Sequence, residues 1–302
     1  MEKRMNIILS EVQKVIVGKK DVIEKVLMAI LANGHILLDD VPGVGKTTMA
    51  LALSRALGLT YNRIQFTPDV LPSDIVGFSI FDKESGKMSY MPGVVTNTNL
   101  LLADEINRTS SKTQSALLEA MEEKQVTVDG QKHPLDNPFI VIATENHVGA
   151  AGTQLLPHAQ LDRFLRLSIG YPDFESEMAI IRDRCKANPL DSVQQVLDLE
   201  ALLEMMAEVE NVTVKDEIIS YIIRLTVASR ESEYVELGIS PRGALAVSRM
   251  ARACAYIKNR DYVIPEDVQS VFSDVCAHRI LLSQAARNAR KDVQSVMKSI
   301  LD

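Results

Sequence analysis

The sequence lacks the features that would place it in a membrane or in an oxidising compartment. No apolar run in the 302 residues approaches the roughly 20 residues that a membrane-spanning helix needs. The first residues lead into an amphipathic stretch without a signal-peptide core. The cysteines, Cys185, Cys254 and Cys276, are odd in number and scattered, which favours reduced thiols. We therefore expect a cytoplasmic protein with no membrane segment.

Metal-binding motifs and excess positive charge are also missing. Neither Cys-x-x-Cys nor His-Glu-x-x-His occurs, and the 5 histidines lack metal-ligand spacing, so no structural zinc site is expected. The chain has 33 Lys and Arg against 40 Asp and Glu, a net charge of −7. Non-specific nucleic-acid binding relies on clustered positive charge, so no nucleic-acid partner is expected. Apolar residues still make up 46% of the chain, enough to bury a core.

The hydrophobic pattern changes near residue 171. Before it, short apolar strands alternate with helices, which predicts a mostly parallel sheet covered on both faces. Two hairpins are predicted around glycines, at 77–90 and 125–135. After it the strand signals stop, and the predicted helices are 174–187, 199–209, 215–229, 242–258, 265–277 and 285–300. We expect an α/β domain at 1–171 and an all-helical domain at 172–302.

One loop has the layout of a phosphate-binding site. Residues 39–48 read DDVPGVGKTT and lie between the apolar strand 36–38 and a helix-like stretch. Such a loop directs backbone N–H groups and a helix N-terminus at a phosphate chain. Lys46 would reach the β- and γ-phosphates, and the Thr47 hydroxyl would ligate Mg²⁺. A chance Gly-Lys-Thr is the alternative, and Asp40 occupies a position where the P-loop pattern has a glycine.

Two adjacent acids end another apolar strand. Asp104 and Glu105 follow residues 100–103, and ligands bind at the carboxyl ends of strands in open α/β folds. Asp104 would hold Mg²⁺, directly or through water, and Glu105 would polarise the attacking water. Asn146, after the strand 139–143, would orient water beside the γ-phosphate. Two acids after a strand are more often a solvated loop when nothing else supports a site, and Asn146 could instead cap a turn.

Two arginines are candidate phosphate ligands. Arg163 either forms a surface salt bridge with Asp162 or acts as an arginine finger on a neighbouring subunit, which accelerates other NTPases by roughly 10³–10⁵-fold. Arg242 follows Ser240-Pro241 at a helix start, where the helix dipole disfavours a cation without an anionic partner. We therefore favour phosphate sensing by Arg242. The alternative is a local pair with an acidic side chain.

Taken together, these motifs resemble those of the AAA+ ATPases, and within them the MoxR group, which is related to the magnesium-chelatase ATPase subunit. The matching motifs extend over nearly the whole chain, at residues 15–18, 37–47, 65–69, 71–75, 103–108, 112–121, 159–164 and 240–244. The resemblance implies a P-loop AAA+ core of the α/β class, with a mostly parallel sheet between helices, plus an all-helical C-terminal lid. It also implies ring assembly, usually as a hexamer, with ATP and Mg²⁺ as cofactors.

The resemblance assigns a role to each candidate site residue. It implies nucleotide binding by Val17, Gly18, Pro42, Gly43, Val44, Gly45, Lys46, Thr47 and Thr48, and metal binding by Thr47 and Asp104. The implied catalytic residues are Glu105, Asn146 as sensor 1, Arg163 as the finger from the next subunit and Arg242 as sensor 2 from the chain's own lid. The two hairpins resemble the family's helix-2 and pre-sensor-1 inserts. Departures from the family pattern are Asp40, Lys19, Glu145 and residues 90–95. Glu145 adds a carboxylate near the γ-phosphate, which could slow hydrolysis.

The expected function is ATP hydrolysis by a ring with a chaperone-like role in the assembly or maturation of protein complexes. The expected partners are protein clients, including a von Willebrand A domain protein. Side chains of the first hairpin, such as Phe81 and Tyr90, would present apolar surface to a client or simply pack the hairpin. A nucleic-acid remodelling motor is one alternative, because related rings use similar hairpins. A slow nucleotide-gated scaffold is the other.

Overall fold

The computed structural model of the chain describes residues 2–83, 86–145, 156–184 and 188–302. Its N-terminal part alternates strands and helices. The helices are α1 (Glu2–Gln13), α2 (Lys20–Leu31), α3 (Lys46–Ala56), α4 (Pro72–Val76), α5 (Ser111–Glu123) and α6 (His158–Leu161). The strands are β1 (His35–Asp39), β2 (Tyr61–Gln65), β3 (Gly77–Asp82), β4 (Lys87–Pro92), β5 (Leu100–Asp104), β6 (Gln125–Val128), β7 (Gln131–Pro134), β8 (Ile140–Glu145) and β9 (Phe164–Leu167).

The central sheet has five parallel strands in the order β2-β5-β8-β1-β9. Its central strands are apolar because both of their faces are buried. Along β1, Ile36 and Leu38 join the core on one face, and Leu37 joins the core on the other. The two predicted hairpins are confirmed as the antiparallel pairs β3–β4 and β6–β7. The predicted parallel sheet between layers of helices is therefore confirmed.

The parallel arrangement gives the sheet two chemically different edges. Asp39 pairs with Glu145, and Gln65 pairs with Asp104, so the last residues of β1, β8, β2 and β5 share one edge. We call this the carboxyl edge. His35 pairs with Phe164 at the opposite, amino edge. At about 3.3 Å per residue, a five-residue strand separates the edges by about 13 Å.

Helices dominate the C-terminal part. They are α7 (Phe174–Arg184), α8 (Leu199–Glu210), α9 (Asp216–Glu231), α10 (Pro241–Ile257), α11 (Pro265–Cys276), α12 (Gln284–Asn288) and α13 (Val293–Leu301). Two short strands, β10 (Val235–Leu237) and β11 (Leu281–Leu282), form an antiparallel ribbon among them. The single helix predicted over 285–300 is wrong. Arg290 adopts a left-handed φ of 53°, and the Asp292 side chain accepts a hydrogen bond from Ser295 N–H, which starts a new helix.

The C-terminal helices pack directly on the N-terminal part. Val26 and Ile30 of α2 belong to the same buried core as Val247 and Met250 of α10. At the start of α10, the Ser240 hydroxyl accepts a hydrogen bond from Gly243 N–H, which caps the helix. This cap fixes the residue at which α10 begins, and thereby the position of Arg242 in its first turn. None of the helices formed by the described residues is long and apolar enough to cross a membrane.

Candidate nucleotide site

The P-loop has a conformation that requires glycine at two positions. Gly43 and Gly45 have φ values of 88° and 97°, in a region that L side chains rarely adopt. Gly45 directly precedes α3, and among the described residues no atom apart from those of the adjacent residues lies within 4 Å of a Cβ built on Gly43. The loop therefore presents its backbone and the first turn of α3 to open space. This is the arrangement in which backbone N–H groups and a helix N-terminus bind phosphate.

Lys46 is buried at the start of α3, where its ammonium group donates to two backbone carbonyl oxygens. Its Nζ donates to the backbone oxygens of Asp40 at 2.6 Å and Glu145 at 3.0 Å. Burial lowers the pKa of Lys46, and the charges of Asp40, Asp39, Asp104 and Glu105 partly offset that effect. A buried cation held by two carbonyl oxygens and surrounded by open loop backbone is suited to receive an anion.

The two predicted acids lie at the same edge of the sheet. Asp104 accepts hydrogen bonds from Arg63 Nη2 at 2.8 Å and from the Thr144 hydroxyl at 2.5 Å. Glu105 adopts a left-handed φ of 57°, and its N–H donates to the same hydroxyl at 2.9 Å. Its Oε2 accepts from Arg108 Nη1 at 2.7 Å. A non-glycine residue with positive φ costs conformational free energy, and such residues cluster at functional sites.

The donor set at this edge fits a magnesium–nucleotide complex. The described residues contain no group of three or more His, Cys, Asp and Glu side chains arranged to hold a metal ion. Mg²⁺ does not need one, because proteins usually bind it through one or two carboxylates together with substrate phosphates. Asp104 supplies a carboxylate, and Thr47, the second residue of α3, supplies a half-buried hydroxyl. Asn146, the predicted sensor 1, lies outside the described residues.

Asp40, the departure from the P-loop pattern, is an anchoring residue. Its Oδ2 accepts from the N–H groups of Ile169 at 2.6 Å and Gly170 at 2.7 Å, and from the Ser168 hydroxyl at 3.0 Å. Its Oδ1 accepts from Val41 N–H at 3.1 Å. Burial alone would raise the pKa of this carboxyl, but the four hydrogen bonds outweigh it and lower the pKa. Asp40 therefore joins the P-loop to the segment that leads into α7.

Val17 and Gly18, two of the predicted nucleotide-binding residues, lie near the same segment. Gly18 has a φ of 73°, and a Cβ on it would meet the Ser176 hydroxyl of α7 at 2.1 Å. Lys19, which departs from the family pattern, donates from Nζ to Tyr171 O at 2.7 Å. Val17 is half-buried next to this contact. The chain before α2 and the start of α7 thus approach closely, and no larger residue fits at Gly18.

The two predicted arginines meet at one carboxylate that sequence reasoning missed. Arg163 donates from Nε to Glu122 Oε2 at 2.9 Å and from Nη1 to Ala159 O at 2.8 Å, and its Nη2 forms an ion pair with the same Oε2 at 2.8 Å. Arg242 Nη2 donates to Glu122 Oε1. The alternative salt bridge between Arg163 and Asp162 is therefore wrong. The acidic partner considered for Arg242 exists and is Glu122.

Asp162 instead contacts the buried Arg279. Arg279 Nε donates to Asp162 Oδ1 at 2.8 Å, and its Nη2 donates to the backbone oxygens of Asp162 at 2.8 Å and Phe164 at 3.0 Å. The Ser240 hydroxyl donates to Asp162 Oδ2 at 2.9 Å. The Asp162 side chain thus joins the residue before Arg163 to Ser240, the N-cap of the helix that contains Arg242.

This arginine pair lies at the amino edge, away from Lys46. Arg163 immediately precedes β9, and Glu122 lies in the last turn of α5. Both, together with Arg242, line a cleft of about 480 Å³ that also includes His35, the first residue of β1. Lys46 follows the opposite end of β1. Within one chain the structure joins Lys46 with Asp104 and Glu105, and it joins Arg163 with Arg242 through Glu122, but it does not join the two groups. Arg242, predicted beside the nucleotide of its own subunit, lies instead with Arg163 at the amino edge.

Comparisons with known proteins agree with this geometry. Residues 35–166 match the family described as ATPase family associated with various cellular activities (AAA), and residues 227–300 match an AAA lid domain. The chain is 45% identical to the uncharacterized protein YeaC of Bacillus subtilis, covering 97% of this chain and 92% of YeaC. It is 40% identical to Chaperone MoxR1 of Mycobacterium tuberculosis, covering 91% of this chain and 75% of MoxR1.

A solved structure has the same fold. A Cytophaga hutchinsonii protein assigned as an ATPase superposes with a TM-score of 0.90 at 40% identity, covering 99% of this chain and 94% of that one. The fold, the P-loop geometry and these similarities agree over nearly the whole length. The chain belongs to the MoxR family of AAA+ ATPases.

Proposed function

We propose that this chain binds ATP with Mg²⁺ and hydrolyses it within a ring of identical subunits. The observation that supports this proposal is the separation of the site into two halves on opposite edges of the sheet. Lys46, Asp104 and Glu105 lie at the carboxyl edge, whereas Arg163 and Arg242 meet at the amino edge. A head-to-tail arrangement brings the amino edge of one subunit to the carboxyl edge of the next, and a closed ring completes every site. AAA+ proteins generally form such rings, and we propose a hexamer.

At the carboxyl edge, the chain's own residues bind and orient the nucleotide. Lys46 and the N–H groups of residues 43–48 bind the phosphates, and Thr47 and Asp104 would hold Mg²⁺. When bound, Mg²⁺ neutralises charge on the β- and γ-phosphate oxygens. Glu105 accepts a hydrogen bond from the attacking water and increases its nucleophilicity. Val17 and Gly18 contact the adenine, and Asn146 orients the water.

At the amino edge, Arg163 and Arg242 donate hydrogen bonds to the γ-phosphate held by the neighbouring subunit. Charge develops on the γ-phosphoryl oxygens during transfer, and arginine is suited to stabilise it with several donors in fixed geometry. The lone subunit positions neither arginine at its own Lys46, so hydrolysis requires the neighbour. This gives turnover a dependence on subunit concentration.

We propose that hydrolysis drives a chaperone-like remodelling of protein partners during complex assembly or maturation. The β3–β4 hairpin supports a protein client, because Phe78 is 49%, Phe81 62% and Met88 61% exposed. Tyr90 packs the hairpin instead, with its hydroxyl 2.6 Å from Val76 O. One relative is named Chaperone MoxR1, and this name also supports a chaperone-like role. A von Willebrand A domain protein is the partner class suggested by the family resemblance.

The test is the variant Glu105→Gln with Glu119→Gln as its control. Glu119 is an exposed acid on α5, remote from the P-loop. Wild-type protein should show ATPase activity per subunit that rises with protein concentration. Glu105→Gln should abolish turnover, retain ATP binding and accumulate rings in size-exclusion chromatography, and Glu119→Gln should behave as wild type. Unchanged turnover in Glu105→Gln would support the slow scaffold. Stimulation by DNA with a steep salt dependence would support the nucleic-acid motor.

A further inference from the structure

We propose that Glu122 is a positioning residue that aligns Arg163 and Arg242 for the nucleotide of the neighbouring subunit. The inference rests on the proposed function and adds a residue that neither the motifs nor the comparisons assign. One carboxylate contacts both guanidinium groups, through Oε2 for Arg163 and through Oε1 for Arg242. Glu122 itself does not contact the nucleotide in this proposal. It acts through the two arginines.

The hydrogen bonds to Glu122 leave donors available for phosphate. A guanidinium group has five N–H donors in one plane. Arg163 donates one hydrogen bond to Glu122 and one to Ala159 O, and its Nη2 forms an ion pair with Glu122, so one edge of the group is fixed while other donors remain. Arg242 uses one donor in its contact with Glu122. Both arginines can therefore bind the γ-phosphate oxygens without releasing the carboxylate.

Electrostatics explains why an anion is needed between the two arginines. Two guanidinium groups brought to one point repel each other, and a carboxylate between them adds two attractions that offset the repulsion. The last turn of α5 carries no basic residue, and an acidic side chain at a helix C-terminus is disfavoured by the helix dipole. Glu122 thus interacts unfavourably with the dipole of its own helix, and its contacts with the two arginines offset that cost.

The backbone around both arginines is fixed separately from Glu122. Asp162, the residue before Arg163, accepts hydrogen bonds from the buried Arg279 and from the Ser240 hydroxyl. Ser240 is also the N-cap of α10, the helix that contains Arg242. These contacts set the distance between the two arginine backbones. Glu122 sets the directions of their side chains. Since 41% of its side-chain surface remains exposed, substitution should leave the fold intact.

The first experiment compares Glu122→Gln with the matched control Glu123→Gln. Glu123 is the next residue of α5 and is exposed, so the change in charge is identical. Outer partners that orient functional side chains typically contribute 10–100-fold in metal sites, and we expect kcat of the ring ATPase to fall about tenfold in Glu122→Gln. ATP binding and KM should stay within error, because the P-loop lies at the other edge. Glu123→Gln should match wild type.

A thermodynamic cycle separates positioning from a general effect of charge. Because Glu122 acts through Arg242, Arg242→Ala should reduce kcat less in the Glu122→Gln background than in wild type. Independent roles would give reductions that multiply. Equal kcat in wild type and Glu122→Gln, a higher kcat in the variant, or multiplicative reductions would each overturn the proposal.

Mixed rings test whether Glu122 acts across the subunit boundary. Lys46→Ala subunits lack a working P-loop but present an intact amino edge. In a 1:1 mixture, half of the Glu122→Gln sites gain an intact neighbour, so turnover per Glu122→Gln subunit should rise about fivefold if the defect is tenfold. No rise on mixing would show that Glu122 serves its own subunit. Different results would show that the proposed function itself is wrong. These are an absence of ATP turnover in the wild-type protein, or a kcat that Arg163→Ala leaves unchanged.

Discussion

Replacing Asp40 with glycine tests whether the Asp40 carboxylate, which departs from the P-loop motif, stabilises the position of the P-loop. The motif has glycine at this position, so sequence comparison alone predicts a neutral or favourable change. The structure predicts the opposite. Asp40 has no positive φ, so its backbone does not require glycine. Its carboxylate accepts four hydrogen bonds, three from backbone N–H groups and one from Ser168.

The expected loss follows from the donors that would be left without an acceptor. Ile169 is buried, and its N–H at 2.6 Å and that of Gly170 at 2.7 Å make the shortest of these bonds. A hydrogen bond to a charged group contributes about 1.5–3 kcal/mol. Water can replace part of this at Gly170, which is only half-buried. With about 0.5–1 kcal/mol for the added flexibility of glycine, Asp40→Gly should lower the free energy of unfolding by about 4 kcal/mol.

Urea unfolding followed by circular dichroism measures this loss, with Asp40→Asn as the comparison. Asparagine keeps one oxygen acceptor but lacks the charge, so its loss should be about half that of glycine. The folded pKa of Asp40 lies below its unfolded value, so its contribution is complete above the unfolded pKa and disappears as the pH falls through the folded one. Asp40→Asn should therefore reduce the acid dependence of stability. An Asp40→Gly protein within 1 kcal/mol of wild type (roughly one ordinary hydrogen bond) would refute the reasoning.

Two further predictions concern other parts of the chain. Burial, with a smaller effect of Lys124, lowers the pKa of His35 to about 3. Below pH ~6.5 the unfolded chain takes up a proton at His35, whereas the folded protein does not. Lowering the pH from 7.5 to 5 should therefore lower the free energy of unfolding, measured by urea titration, by about 2 kcal/mol. In His35→Gln this loss of about 2 kcal/mol should be absent. On the hairpin, Phe81→Ala should reduce client-stimulated but not basal ATPase. Tyr90→Ala should instead lower the melting temperature, because its ring stacks on His133 at 3.8 Å.

The sequence predicts the carboxyl edge well because the signals there are local. An apolar strand followed by Asp104 and Glu105, and another followed by Gly43 to Lys46, are each readable within ten residues. Parallel strands then bring their ends to one edge whatever the strand order. The structure accordingly places Lys46 close enough to both acids for their charges to act on its pKa.

The sequence does not predict the amino edge because its contacts join distant parts of the chain. Glu122 meets Arg163 and Arg242 across 41 and 120 residues, and nothing near Glu122 distinguishes it from Glu123. The same holds for Asp40, because three of its four hydrogen-bond partners lie 128 to 130 residues away. Which acid meets which donor depends on the order of strands in the sheet and on how α10 packs against α2. Neither can be derived from periodicity.

The same two carboxylates show how the helical region is attached to the sheet. At the carboxyl edge, Asp40 bonds the P-loop to residues 168–170, from which the chain continues into α7. At the amino edge, Glu122 bonds α5 to Arg242 at the start of α10. Asp40 therefore fixes the segment from which the chain enters α7, next to the nucleotide half-site, and Glu122 fixes the start of α10, next to the arginine half-site. A rotation of α10 relative to α5 would break the ionic contact between Glu122 and Arg242 and so disturb the arginine half-site.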